Sequence, residues 1–215
     1  MAGLDAARVR ANAERVRSEI DAAARRAGRD PGEVDLLVAV KYVELEDLGA
    51  LADAGLTLLG ENRAQELDAK ATAHPEFRWH FIGQLQSRKV KRIVPLVELI
   101  HSVASDSALR QLERHGTPET EILVEVNVAG EDDKAGIAPA ELGAFIQRCS
   151  VKVIGLMTMP PFAEDPEDSR PHFAALRELA AEHGLRHLSM GTSQDYRVAA
   201  QEGATIVRIG TSLYE

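Results

Sequence analysis

The sequence predicts an α/β protein in which eight parallel strands close into a single (β/α)8 barrel. Short apolar runs alternate with helical patterns along the chain, and eight such runs can be counted. Each run ends in polar or small residues, and none has the hydrophilic character of an edge strand. An open sheet is the rival architecture, but the count of eight and the lack of an edge strand favour closure.

The composition indicates one ordinary globular domain, spanning residues 1–215. The chain is 45% hydrophobic and 27% charged, and none of its apolar runs is long enough to cross a bilayer. The first five residues lack the basic and apolar segments of a secretory leader, and the single cysteine, Cys149, cannot form an internal disulfide. We therefore expect a cytoplasmic protein that does not bind membranes. Its formal charge of -9 disfavours general nucleic-acid binding, which requires a basic surface.

The first predicted element is a long amphipathic helix over residues 4–27. Apolar residues such as Val16 and Ile20 recur at helical spacing, and Asp5 is a candidate N-terminal cap. Gly28 stands where a left-handed residue would terminate the helix. The chain then turns and enters the first strand.

That strand is an apolar run at residues 36–42 that contains Lys41 near its end. A run this short and apolar is typical of a strand buried on both faces. In one interpretation the lysine stem packs on apolar surface while the ammonium group reaches water. In the other, Lys41 lies at the carboxyl end of a barrel strand, where such barrels keep their active sites.

The later elements repeat the strand and helix pattern. Further strands are predicted at 56–62, 77–83, 99–103, 120–127, 153–159, 188–193 and 204–210. Helices are predicted between them at 45–52, 64–71, 90–94, 107–115, 139–149, 171–183 and 195–202. Because few residues follow the eighth strand, we expect the N-terminal helix to pack over the gap that remains in the helical layer.

Two similar segments, Gly-Thr-Ser at 191–193 and at 210–212, close the seventh and eighth strands. Barrels often bind phosphate at this position, with backbone amides from glycine-bearing loops and with small hydroxyls. Each segment alone is ordinary turn composition. Because the two segments follow the two strands at which barrels often bind phosphate, together they predict a phosphate site.

A phosphate site beside Lys41 suggests a phosphorylated carbonyl compound held as a Schiff base, since a free lysine amine attacks carbonyls. A sugar-phosphate aldolase and a pyridoxal 5'-phosphate site both fit. Arg208 lies two residues before Gly210, so strand alternation can direct it into the same mouth. Because arginine only donates hydrogen bonds, it would keep a pyridine nitrogen unprotonated. An arginine paired with a rim carboxylate is the alternative.

Six segments together resemble the pyridoxal-phosphate homeostasis proteins. They are Val-Ala-Val-Lys at 38–41, Gly-Glu-Asn-Arg-Ala-Gln-Glu at 60–66, Trp-His-Phe-Ile-Gly-Gln-Leu-Gln at 79–86, Gly-Leu-Met-Thr-Met at 155–159, Leu-Ser-Met-Gly-Thr-Ser-Gln-Asp at 188–195 and Val-Arg-Ile-Gly-Thr at 207–211. The resemblance runs in order from about residue 34 to the end. It implies a barrel of the alanine racemase N-terminal type, on which the N-terminal helix is expected to pack as argued above.

The resemblance also implies a role in vitamin B6 homeostasis, in which the protein binds and buffers or delivers pyridoxal 5'-phosphate without established turnover. Lys41 would form the Schiff base, Arg208 would face the pyridine nitrogen, and Asn62 would lie near the ring. The phosphate would be held by Ser193, Gly210 and Thr211. The complete expected cofactor-binding set is Lys41, Asn62, Met190, Gly191, Ser193, Arg208, Gly210 and Thr211.

The alternative function is a racemase-like enzyme that uses the same cofactor. Two-base racemisation needs a second acid or base facing the lysine, and alanine racemases take a tyrosine for it from an additional domain. None of the three tyrosines here is evidently placed for this role, so we expect no catalytic residue. The histidines lack metal-ligand spacing, and His80 and His101 look isolated, so we expect no metal. Acceptor apo-enzymes are the expected partners of what we expect to be a monomer.

Overall fold

A computed structural model describes residues 4–131 and 134–214. It contains a closed barrel of parallel strands in the order β1 to β8, as predicted. The strands are β1 Asp35–Ala39, β2 Leu58–Glu61, β3 Arg78–Phe81, β4 Leu99–Val103, β5 Glu121–Glu125, β6 Lys152–Met157, β7 His187–Thr192 and β8 Ile206–Ile209. Residues 1–3, 132, 133 and 215 lie outside this description. The first three belong to the segment that is predicted to lack a leader.

The helices form a layer around the barrel. They are α1 Ala6–Arg26, α2 Leu48–Asp53, α3 Ala64–Ala73, α4 Val90–Ile93, α5 Asp106–His115, α6 Leu142–Gln147, α7 Arg170–Glu182, α8 Tyr196–Glu202 and α9 Thr211–Tyr214. The strands and helices thus alternate as the apolar runs and helical patterns predict. No helix in the described ranges has the length and apolar character needed to cross a membrane.

The N-terminal helix fills the gap in the helical layer, which confirms the prediction. In the described ranges β8 is followed by the single turn of α9, and α1 packs against α8, α9 and α2. The side chain of Asp5 accepts hydrogen bonds from Ala7 and Arg8 at its start, as expected of a cap. Tyr196 of α8 donates to Glu19 of α1 over 2.6 Å, which joins the two helices.

Side chains divide into two packed layers because neighbours along a strand point to opposite faces. Alternate residues of the strands fill the barrel interior, where the apolar cluster is Leu37, Leu58, Leu99, Leu123, Met157 and Ile206. The residues between them, such as Val38 and Leu59, pack outward against the helices. This alternation decides which side chains reach the open end of the barrel.

The first strand is shorter than the apolar run predicts. It ends at Ala39, and Val40 makes one more backbone bond, to Gly60 of β2, before the chain turns at Lys41. Residues 37, 39 and 41 nevertheless follow one alternation, which points inward. Lys41 therefore lies just past the strand, at the carboxyl end of the barrel.

Candidate functional site

A cavity of about 350 Å³ opens at the carboxyl ends of the strands. This volume lies in the range of small-molecule sites. Its walls come from segments that are distant in sequence and meet because parallel strands share one end. The lining residues are Ala39, Lys41, Tyr42, Asn62, Ile82, Met159, Thr192, Ser193, Gln194, Arg208, Gly210, Thr211 and Tyr214. The structure thus brings together six of the eight predicted site residues.

Lys41 lies at the mouth of this cavity, where it is exposed. Its Nζ atom lies 4.5 Å from the centre of the Tyr42 ring. The two residues before it are held by side-chain hydrogen bonds, since the partly buried Tyr214 donates to the carbonyl of Ala39 over 3.0 Å and the buried Lys70 donates to that of Val40 over 2.9 Å. The backbone of Lys41 is therefore anchored while its amine is free to meet a ligand.

A buried ion pair supports the neighbouring wall. Lys70 of α3 contacts Glu61 at the end of β2 over 2.7 Å, and both side chains are almost fully buried. The second carboxylate oxygen of Glu61 accepts hydrogen bonds from the backbone N–H groups of Asn62 and Arg63, at 2.7 and 3.0 Å. One carboxylate thus connects the strand end that carries Asn62 to the lysine that holds Val40.

Asn62 carries an unfilled hydrogen-bond acceptor. Within the part of the chain that the structure describes, its Oδ1 atom is buried and has no hydrogen-bond partner. Its backbone is held closely, because a Cβ atom on Gly83 would lie 2.0 Å from the carbonyl oxygen of Asn62. A buried polar atom without a partner costs free energy and often marks a binding site. A ligand that donates a hydrogen bond here would satisfy it.

Arg208 forms the inner wall, and the prediction from alternation that it points inward agrees with its position. Its guanidinium group donates to the carbonyls of Ser189 and Thr158 at 2.9 and 3.0 Å, to the Ser189 hydroxyl and to the sulfur of Met159. These acceptors are all neutral. Burial lowers the pKa of Arg208 to about 10, opposed by the charges of Glu125 and Asp195, so the group stays protonated at neutral pH.

The two glycine-bearing loops meet at Ser193. Its hydroxyl oxygen accepts hydrogen bonds from the backbone N–H groups of Gly210 and Ser212, at 3.3 and 3.5 Å. Asp195 fixes the turn that carries Ser193 by accepting from the N–H of Thr192 over 2.7 Å and from the hydroxyl of Ser169. Hydroxyl and amide donors therefore converge at one corner of the cavity, the arrangement that favours anions.

Met190 and Gly191 do not line this cavity. Met190 is fully buried and its side chain packs in the outer layer between strands and helices. Gly191 has a φ of +90°, and a Cβ atom there would lie 2.5 Å from the Cβ of Ala199 on α8. A glycine is needed at this position of β7 because its φ is positive and its backbone packs closely on a helix.

Sequence reasoning missed several residues of the site. Tyr42 and Tyr214 both line the cavity, although neither looked well placed. His80 and His101 looked isolated, yet they contact each other inside the barrel, with 2.9 Å between ring nitrogens. Alternation from Leu99 could have placed His101 inside the barrel, but its distance to His80 depends on the register of two strands, which the sequence does not state.

The fold and the site together define a class of barrel, and residues 4–215 match the family model of that class, described as alanine racemase, N-terminal domain. Within it, this chain belongs to the family of the pyridoxal phosphate homeostasis proteins. The family member of that name from Aquifex aeolicus is 43% identical over 215 residues, which cover 93% of this chain and 94% of the relative.

Solved structures are also similar to this chain over nearly its whole length. PipY of Synechococcus elongatus with PLP bound is 30% identical, with a TM-score of 0.81 over 96% of this chain and 100% of that one. A protein from Bifidobacterium adolescentis described as unknown is 33% identical, with a TM-score of 0.87 over 97% of this chain and 95% of that one. Both similarities cover nearly the complete barrel.

Proposed function

We propose that this protein binds pyridoxal 5'-phosphate as a Schiff base on Lys41 and buffers or delivers the cofactor, without catalytic turnover of its own. The observation that carries the proposal is the joint placement of an accessible lysine, a corner of amide and hydroxyl donors and a buried arginine around one cavity. The similarity to PipY with PLP bound supports the same ligand.

The residues present fit the chemical groups of this cofactor. Ser193, Gly210 and Thr211 would hold its phosphate, because hydroxyl and backbone N–H groups bind anions. Arg208 would face the pyridine nitrogen as a donor, and the unpaired Oδ1 of Asn62 would meet the polar edge of the ring. Met190 and Gly191 would act behind these groups, by shaping the turn that presents Ser193.

When bound, the cofactor supplies a carbonyl that a lysine or amino acid can capture reversibly. In this protein the exposed position of Lys41 at the cavity mouth gives water and competing amines access to the linkage. Arg208 donates and cannot accept, so it would leave the ring nitrogen unprotonated and the ring a weak electron sink. Both properties suit a reversible carrier better than a catalyst.

The proposal is tested by titrating the ligand-free protein with pyridoxal 5'-phosphate and following the visible absorption of the Schiff base. We expect saturable binding by the wild type, loss of the absorption band in Lys41→Ala, and no change in the control Lys91→Ala, whose lysine is exposed on α4. Equal absorption in Lys41→Ala and wild type would overturn the assignment of Lys41.

Delivery is tested separately, with a cofactor-free pyridoxal-phosphate enzyme as acceptor. We expect the loaded protein to restore activity of the acceptor, with a time course set by release from Lys41. If the loaded protein restores none while the same amount of free cofactor does, the role in delivery fails and only storage remains.

One observation favours a second candidate, a racemase-like activity. Tyr42 is 70% exposed at the cavity mouth with its ring beside the Lys41 amine, so an acid or base group lies near the lysine after all. Measurable exchange of the alanine Cα proton by the loaded protein, lost in Tyr42→Phe, would support this enzyme and contradict a pure carrier.

Three further features belong to the proposal. We propose that residues 1–215 form one cofactor-binding domain, since the barrel and its cavity use segments from both halves. We propose that the protein is cytoplasmic, because the single cysteine suits a reducing compartment. We also propose that it is a monomer whose protein partners are cofactor-free acceptor enzymes. Nucleic acids and membranes are not among the partners proposed, given the acidic net charge.

A further inference from the structure

A column of polar side chains crosses the barrel interior and ends at Arg208. It consists of His80 on β3, His101 on β4, Ser189 on β7 and Arg208 on β8, and we refer to these four as the polar column. The nitrogens His80 Nδ1 and His101 Nε2 lie 2.9 Å apart, and His101 Nδ1 lies 2.8 Å from the Ser189 hydroxyl. That hydroxyl also receives a hydrogen bond from Arg208.

The direction of each hydrogen bond follows from what Arg208 can do. Arginine only donates, so the Ser189 oxygen accepts from it. Accepting this bond makes the Ser189 O–H a stronger donor, and Nδ1 of His101, 2.8 Å away, is the acceptor that it reaches. His101 then carries its proton on Nε2 and donates to Nδ1 of His80. His80 in turn carries its proton on Nε2, which lies 3.9 Å from a carboxylate oxygen of Glu98 at the amino end of the barrel.

Both histidines are neutral in this arrangement. Burial holds the pKa of His101 well below its usual value, aided by the neighbouring His80 and Arg208. Burial also lowers the pKa of His80 to about 3, aided by the charge of Arg78. The electron-rich side of each neutral ring therefore points along the column toward the arginine, which favours its positive charge.

Arg208 needs such support because its buried charge is hydrogen-bonded to neutral atoms. The acidic groups that act on it are Glu125 of β5 and Asp195 beyond β7, and Asp195 is already engaged with Thr192 and Ser169. The remaining interior cluster of the barrel is apolar. Two histidines in that interior are costly to bury unless each hydrogen bond is satisfied.

We propose that His101, backed by His80, is a positioning residue that acts through the Ser189 hydroxyl to hold the Arg208 guanidinium against the cavity. This inference rests on the proposed function, in which Arg208 faces the pyridine nitrogen of the cofactor. His101 does not line the cavity, and the role concerns only the placement of the arginine. Nothing in the column transfers a proton to the ligand.

The test is a double-mutant cycle on His101→Leu and Ser189→Ala. Leucine cannot accept the Ser189 hydrogen bond, whereas His101→Asn keeps an acceptor near the Nδ1 position and serves as the matched conservative variant. Two readouts are measured: the dissociation constant for pyridoxal 5'-phosphate, and the exchange of Arg208 side-chain N–H groups with water, followed by NMR in the ligand-free protein. The second readout does not depend on cofactor binding.

We expect each single variant to bind the cofactor about tenfold more weakly, the scale of one lost hydrogen bond to a charged group. Because both changes break the same connection, the double variant should be no weaker than either single one. Arg208 exchange should accelerate in all three variants, and His101→Asn should stay close to wild type in both readouts.

The two readouts distinguish cofactor binding by the protein from the positioning role of His101. If the wild type binds no cofactor, the proposed function fails, while the Arg208 exchange rates still decide whether His101 positions the arginine. Unchanged exchange in His101→Leu and in Ser189→Ala would overturn the positioning role. Additive losses in the double variant would also overturn it, because they would mean that His101 acts independently of Ser189. If His101→Leu does not fold, Ser189→Ala and His101→Asn decide alone.

Discussion

At the scale of single residues, the decisive feature is a buried arginine held by neutral acceptors. Arg208 reaches two carbonyl groups, a hydroxyl and a thioether from a position on β8. A planar guanidinium can satisfy several acceptors at fixed angles, whereas an ammonium group concentrates its charge at one point. The shape of this wall therefore depends on arginine in particular and not on positive charge alone.

We expect Arg208→Lys to destabilise the ligand-free protein even though the charge is kept. The carbonyls of Ser189 and Thr158 would lose their fixed donors, and a buried acceptor left unsatisfied costs about 1–3 kcal/mol. The free energy of unfolding in urea measures this. Arg197→Lys, at an exposed position on α8, is the control and should change it by less than about 0.5 kcal/mol. Equal effects of the two substitutions would contradict the account of Arg208.

The sequence predicts the inward residues that follow from alternation along one strand. Arg208 on β8, and Gly210 and Lys41 just past β8 and β1, lie at the cavity as that rule requires. The same alternation places Met190 outward, because its neighbour Ser189 points into the barrel, so the expectation from the resemblance that Met190 lies at the cofactor is not matched by the cavity lining. The contact of His80 with His101 and the place of Tyr214 depend on packing between distant segments, for which a single sequence carries no local signal.

At the scale of secondary-structure elements, the Lys70–Glu61 pair connects α3 to the ends of β1 and β2. The pair is buried, and each partner makes further hydrogen bonds to backbone just past the strand ends, near the cavity. Removing one partner of a buried pair leaves an uncompensated charge, which is far worse than replacing both.

We therefore expect Lys70→Met to lower the free energy of unfolding by about 3–5 kcal/mol. The double variant Lys70→Met/Glu61→Gln removes the isolated charge and keeps an acceptor for the backbone of Asn62, so it should recover a large part of the loss. Chemical denaturation at neutral pH measures both. A double variant less stable than Lys70→Met would contradict the view that the unpaired, buried carboxylate of Glu61 causes the loss of stability.

The contact between α1 and α8 is a second element-scale feature. Tyr196 donates to Glu19, and this hydrogen bond lowers the pKa of the Glu19 carboxyl below its usual 4.5. A lowered acid pKa stabilises the folded state above pH 4.5, and that contribution is lost as the pH falls through the lower folded value.

We expect Tyr196→Phe to cost about 1 kcal/mol at pH 7, the typical net value of one hydrogen bond. The difference from wild type should shrink as the pH falls below 4.5, because the protonated carboxyl no longer favours the tyrosine donor. Unfolding by urea across this pH range provides the measurement. A difference that grows toward acid pH would contradict the assigned direction.

The order of the strands and helices can be predicted from the sequence, whereas the residues at which they end are harder to predict. Hydrophobic periodicity predicts the eight strands and the amphipathic helix α1, because burial leaves a strong pattern in the sequence. The end of β1 was predicted too late, since Val40 and Lys41 continue the apolar run while the backbone pairing stops near Gly60. Hydrogen bonding, which periodicity does not report, decides where a strand ends.

At the scale of the whole molecule, two neutral histidines inside the barrel make the fold sensitive to acid. In the unfolded chain both would bind a proton near pH 6.5, whereas in the folded protein the pKa of His80 is about 3 and that of His101 is well below 6.5. The unfolded state therefore binds more protons between these values, and stability is lost as the pH falls from 6.5 toward 3.

We expect the free energy of unfolding to decline with a slope of up to about 1.4 kcal/mol per pH unit for each such histidine. His101→Asn removes one titrating group and should make the decline between pH 6 and pH 4 less steep. Above pH 7.5, where an ordinary histidine is neutral in both states, the slopes of variant and wild type should agree. Identical slopes at acid pH would mean that His101 is not neutral in the fold.

The whole barrel brings a lysine on one side and an arginine and two glycine-bearing loops on the other to a single cavity, although these segments lie far apart in the chain. Closure of the sheet makes this possible, because it sets β8 beside β1 in direct register. The proposed function depends on this closure, because the cavity that it forms would hold pyridoxal 5'-phosphate on Lys41.

The most direct test is to load the protein with pyridoxal 5'-phosphate, reduce it with borohydride, and map the modified peptide by mass spectrometry. Reduction converts a Schiff base into a stable amine, so the label marks the lysine that carried the cofactor. We expect one label per chain, on Lys41, and none in Lys41→Ala. A label spread over exposed lysines such as Lys91, or no label at all, would contradict the claim.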